Sequence, residues 1–273
     1  MTETTNPNLV ALDGYAMPVL ASAGSQERAR VIAARTGRAL SWLERSLRRR
    51  PLFTLYVLDE QDWPAVSDVP IYGMPQSVPG KIVTSPQPAG WWQEYLDALR
   101  PHLPPEMLAD LARVFGDPAD FTTMADLVAV HELTHLFHEI HPVTWASEFP
   151  ADWVMELFAN IGMHGYVATH EPQLLPLPVT LAAAARAAGA QPWPLRELAA
   201  MGASMQTSVP NYVWFEFMLI GFAESIWNTG GIDAMLAFQQ TLGQPTLSPE
   251  AVVHRLTAID PAVAEAVRAW PTG

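Results

Sequence analysis

The residues best placed to do chemistry are His131-Glu132-Leu133-Thr134-His135, inside the run 122–141. On a helix, side chains four positions apart share a face one turn along. His131 and His135 can therefore aim both imidazoles at one point. Zinc accepts such nitrogens at about 2.0–2.1 Å and keeps positions for further ligands. Glu132 is rotated by roughly 100° to the edge of that face. There it can take a proton from water at the metal without being a ligand, which is the logic of a hydrolytic zinc site.

Two histidines need a third partner, and two candidates present themselves. Glu156 follows His135 by 21 positions on a predicted second helix that Pro150 opens. A helix–loop–helix turn would return its carboxylate to the motif. Asn160, on the same face, would orient a ligand histidine through its second ring N–H. His141 is the competitor, because His131, His135 and His141 match the histidines of H-E-x-x-H-x-x-G-x-x-H. That pattern turns sharply at its glycine, and His138 stands there instead. The helix is therefore expected to run on to Pro142, with His138 on its surface or behind a ligand. Gly162-Met163-His164-Gly165-Tyr166 could imitate the methionine turn of that class. Asp152 reads as an acidic residue complementing the second helix's first turn.

The elements that must position these residues can be read from periodicity and breakers. Ile32, Leu40, Leu43 and Leu47 give a helix over 25–50, with Ser25 as its cap and Arg48, Arg49 and Arg50 as a solvated basic end. Residues 52–58 read as a buried strand, and 71–74 and 81–84 as short extended pieces. Residues 91–115 read as helix broken at Pro101 and Pro104-Pro105. Thr123 and Asp126 supply a capping-box start for the motif helix. Beyond it everything reads helical: 151–165, 179–188, 211–227 up to Gly230-Gly231, 232–242, and two cap-then-proline starts at Ser248-Pro249 and Asp260-Pro261. The expected fold is α+β. A β-containing N-terminal subdomain (1–141) ends in the zinc helix, a helical C-terminal subdomain (142–273) follows, and the motif helix floors a cleft.

Composition limits the partners. With 273 residues and 49 % hydrophobic content the chain can bury a large core. It has no cysteine, so metal ligands must be His, Asp or Glu. A formal net charge of −13 argues against nucleic acid and anionic membrane. Residues 1–10 show no signal pattern, and 212–227 are interrupted by Glu216 and Glu224, so a cytoplasmic location is expected.

The motif, together with Asp152-Trp153-Val154-Met155-Glu156-Leu157-Phe158-Ala159-Asn160, resembles the gluzincin metallopeptidases, which include thermolysin and the aminopeptidase N-like enzymes. Trp153 before the glutamate and Ala159 after it match the family pattern. Asn211-Tyr212-Val213-Trp214-Phe215 and Gly230-Gly231-Ile232-Asp233-Ala234-Met235 are similar to late helices of the aminopeptidase-like members. The resemblance implies Zn2+ on His131, His135 and Glu156, Glu132 as general base, and Tyr212 as a donor to the transition state. A peptide or protein would be the substrate. The family's Gly-x-Met-Glu-Asn segment has only Tyr72-Gly73-Met74-Pro75-Gln76 as its nearest match, without the glutamate that holds a free amine. The alternative reading is a catalytically silent binding or regulatory module on the same scaffold.

Overall fold

A computed structural model describes residues 9–138 and 148–271. The protein is mixed α/β, with five strands in one sheet and eleven α-helices among the described residues. The chain clusters into two compact units. The first combines Met1–Ala89 with Thr122–Phe137; the second combines Gly90–Phe121 with His138–Gly273. Gly90–Phe121, which the sequence places in the N-terminal subdomain, clusters with the second unit.

In the first unit the strands are β1 (Leu9–Leu12), β2 (Val19–Ser22), β3 (Thr54–Val57), β4 (Gln76–Val78) and β5 (Lys81–Thr84). They lie in the order β1-β2-β3-β5-β4. The central pairs β2–β3 and β3–β5 are parallel, and the edge strands pair antiparallel. Val19, Ala21, Leu55, Val57, Ile82 and Val83 are fully buried there, as β-branched and aliphatic residues on central strands should be.

Helix α1 (Gln26–Leu47) buries Ala29, Ile32, Ala33, Thr36, Ala39, Leu40, Trp42 and Leu43. Ser25 precedes it without a side-chain capping bond. The short α2 (Trp63–Val66) follows β3. The motif helix, α5 (Thr122–His135), packs on α1, β4 and β5. Leu127, Val130 and Leu133 are fully buried on it, each contributing about 1.5–3 kcal/mol by leaving water.

Three local expectations are corrected. Asp126 does not complete a capping box: its carboxylate accepts from Arg28 Nη2 at 2.5 Å and Arg35 Nη1 at 3.1 Å. The motif helix ends at His135, where Leu136 and Phe137 donate to the carbonyls of Leu133 and Thr134, three residues back. Such i→i−3 bonds tighten and close a last turn. The piece at 71–74 is turn, and the strand comes just after it at Gln76.

In the second unit come α3 (Trp91–Leu99), α4 (Pro105–Phe115), α6 (Asp152–His170), α7 (Pro176–Ala188), α8 (Met201–Thr207), α9 (Val209–Leu242), α10 (Pro249–Ile259) and α11 (Pro261–Arg268). Ser208, Ser248 and Asp260 cap α9, α10 and α11 through their side chains. Helices α6 and α9 form the main packed pair. At Gly165 the Trp227 ring fills the space a Cβ would take.

Helix α9 breaks at Gly230 and Gly231, and Gly231 (φ 56, ψ −129) holds a backbone shape that suits glycine. Trp227, before the break, lies on the later part of α6. Phe238, after it, stacks on Phe158 near the start of α6, centroids 6.3 Å apart. The chain therefore doubles back along α6 at the two glycines. Among the described residues, no helix is long and apolar enough to cross a membrane.

Candidate metal centre

His131, His135 and Glu156 form a buried group that could hold a metal ion. Each offers one ligand atom, and the three atoms all lie within 4.8 Å of one another. The two histidines share a face of α5 because they are four residues apart. Their Nε2 atoms stand 3.0 Å apart and their rings are nearly perpendicular, at 81°. Two nitrogens at 2.0–2.1 Å from a tetrahedral ion are separated by about 3.3 Å, close to that spacing. Two nitrogens and a carboxylate, with no thiolate, form a donor set that fits zinc. Glu132 is also buried, at 7 % exposure. His141 lies outside the described residues.

Helix α6 carries the carboxylate of this group and the residues behind it. Asn160, one turn after Glu156, donates from Nδ2 to Glu216 Oε2 at 3.0 Å. This bond ties α6 to α9. Glu216 had been read only as an interruption in an apolar stretch. The available signal was its position one turn after Tyr212, a carboxylate between Phe215 and Phe217 in a run of aromatic and aliphatic residues.

Asn160 meets Glu216, and further along Gly165 meets Trp227, so α6 and the first part of α9 advance in the same direction. Tyr212 and Glu156 each lie one turn before the Asn160–Glu216 pair. Tyr212 is half-buried, in the first turns of α9.

Other polar residues near the motif have different roles. His138 is buried past the end of α5, edge-on to Phe149 with ring centroids 5.5 Å apart, and so does not lie on the helix surface. Tyr166 is fully buried and gives its hydroxyl hydrogen to Glu171 Oε1 at 2.7 Å. It is therefore committed to α6's own C-terminal end. The stretch 162–166 lies inside α6 and makes no turn.

Burial lowers the His164 pKa to about 4, so this ring is neutral at neutral pH. Partial burial, followed by the charge of Glu156, raises the pKa of Asp152 one turn upstream. Gly202 leaves room for the Asp152 carboxylate where a Cβ would collide with it.

No family model, no curated protein and no solved structure matches the chain. The functional reading thus rests on the side chains.

Proposed function

We propose that the protein is a zinc-dependent metallohydrolase, most simply a gluzincin-type metallopeptidase acting on peptide or protein substrates. The observation that carries this reading is the His131–His135–Glu156 donor set, with a buried Glu132 beside His131 on the same helix. In this reading His131, His135 and Glu156 hold the ion, and α5 floors the substrate cleft.

Zinc, when bound, supplies Lewis acidity, polarising a carbonyl and bringing the pKa of water toward about 7. Glu132 takes the proton from the attacking water and passes it to the leaving amine. Tyr212 donates a hydrogen bond to the carbonyl oxygen as negative charge develops there. Asn160 and Glu216 position Glu156 by holding its helix.

The test combines metal analysis with a screen of internally quenched peptides of mixed sequence. One equivalent of zinc and measurable cleavage are expected. Glu132→Gln should keep the zinc while lowering turnover by about 10²–10⁴-fold. Less than about a tenth of an equivalent of zinc, with none taken up on addition, overturns the metal reading. Full zinc with no cleavage of any peptide, beside tight capture of a protein, would make the chain a silent module on this scaffold.

A further inference from the structure

Between α7 and the turn at Leu198–Ala200 the chain runs as an irregular strap, 189–197, past the start of α9. Three fastenings hold it. The Trp193 ring stacks between Tyr95 of α3 and Trp214 of α9, with centroids 6.1 and 6.0 Å away. The Arg196 carbonyl accepts from Trp270 Nε1 at 2.6 Å. Between these two, one side chain grips both backbone polar groups of Leu195. Asn211 Oδ1 accepts from the Leu195 N–H at 3.0 Å, and Asn211 Nδ2 donates to the Leu195 carbonyl at 2.9 Å.

Asn211 is fully buried in the first turn of α9. Asparagine is a weak helix former, and the cap of this helix is already supplied by Ser208, whose Oγ accepts from the Asn211 N–H at 3.4 Å. The residue's amide is used whole instead, one donor and one acceptor on one residue of the strap. Its neighbour makes this matter. The first N–H groups of a helix lack intrahelical acceptors. The bond from the Tyr212 N–H to the Ser208 carbonyl, 3.1 Å, closes the first turn of α9. Such a turn frays unless tertiary contacts hold it, and Asn211 ties it to the strap.

We propose that Asn211 is a positioning residue for the reaction: by clamping Leu195 it fixes the first turn of α9, and with it the Tyr212 phenol. The proposal rests on the hydrolase reading, in which Tyr212 donates to the charge that develops on the carbonyl oxygen. That donation is worth most at the right distance, and a displacement of about 1 Å can cost about 100-fold in rate.

The experiment is a double-mutant cycle on the full chain with the quenched peptides, read beside hydrogen exchange. Asn211→Ala should lower kcat by about 10–100-fold with KM and zinc content little changed. In the Tyr212→Phe background the same substitution should cost less than about twofold, because the hydroxyl it places is already gone. A merely structural role would cost the same in both. Asn211→Asp keeps the acceptor, loses the donor and repeats the cycle at nearly constant volume. Amide exchange at Tyr212 and Val213 should quicken by about tenfold or more in both Asn211 variants. Trp270→Phe is the control: it removes the strap's bond at Arg196, so the melting temperature should fall while kcat holds.

Parent-like kcat in both Asn211 variants, beside a slowed Tyr212→Phe, overturns the proposal and leaves the hydrolase reading standing. So does a loss equal in the two backgrounds, or exchange at Tyr212 as slow as in the parent. The underlying reading fails differently: the parent cleaves no peptide, or Tyr212→Phe turns over as the parent does. Either result overturns the positioning role with it.

Discussion

Asp126 and Glu156 are both buried carboxylates on helices, at 6 % and 8 % exposure, and their surroundings differ in kind. Asp126 on α5 meets two guanidinium groups from α1, two turns apart. Arg28 also gives its Nε hydrogen to the Pro86 carbonyl, so this ion-pair network ties α1, α5 and the exit of β5 together. Burial raises the Asp126 pKa while both arginines pull it down. Glu156 on α6 is grouped instead with two imidazoles. The same charge is a fastener where cations of the chain itself surround it and a candidate ligand where imidazole lone pairs do. Burial alone does not separate the two roles; the chemistry of the neighbours does.

The contrast breaks most sharply at Glu156. Glu156→Ala should lower zinc affinity by several orders of magnitude in competition with a chromophoric chelator, while the metal-free protein melts as before. Retained affinity would return the third-ligand role to another residue, His141 first. The next largest effect belongs to Asp126. Asp126→Ala removes one side of a buried ion pair and should cost about 3 kcal/mol in urea unfolding, with zinc stoichiometry unchanged. Loss of zinc without loss of stability would reverse the roles assigned to the two carboxylates.

Turnover sharpens the ligand side of the comparison. Tyr212→Phe removes only a hydroxyl and should slow cleavage by roughly 10²–10³-fold, with zinc content and melting temperature nearly constant. Unchanged turnover with the zinc site intact would take Tyr212 out of the mechanism. The smallest effect is expected at Asn160. Asn160→Ala should weaken zinc by about 10–100-fold, because the Glu216 bond holds the ligand's helix and not the ion.

Much of this was legible in the chain because it is encoded locally. The His131–His135 face follows from a spacing of four, and β5 was read over its whole length, 81–84. Ser248-Pro249 and Asp260-Pro261 start helices where cap and proline chemistry put them. The glycine pair at 230–231 interrupts α9 as its lack of side chains allows.

The misses divide between tertiary partnership and elements too short to show a period. Asp126 looked like a cap because its partners lie about a hundred residues away, on α1. The stretch ending at Tyr166 looked like a turn, but α6 continues through it to His170 and brings Glu171 to the Tyr166 hydroxyl. β1, β2 and α8 went unread: the strands are four residues long, and the helix, with Gly202 in its first turn, has no marked apolar period. The Asn160–Glu216 bond joins residues 56 apart, beyond the reach of any spacing rule.

Helix α5 buries ten of its fourteen residues, including both histidines and Glu132. Most helices expose one side and can fray toward it; this one has little side to expose. Its backbone amides are consequently expected among the slowest in the molecule to exchange with deuterium, opening only when the surrounding structure does. An ion held there would leave by escape of its ligands' side chains or by wholesale unfolding, and not by melting of the helix that carries them.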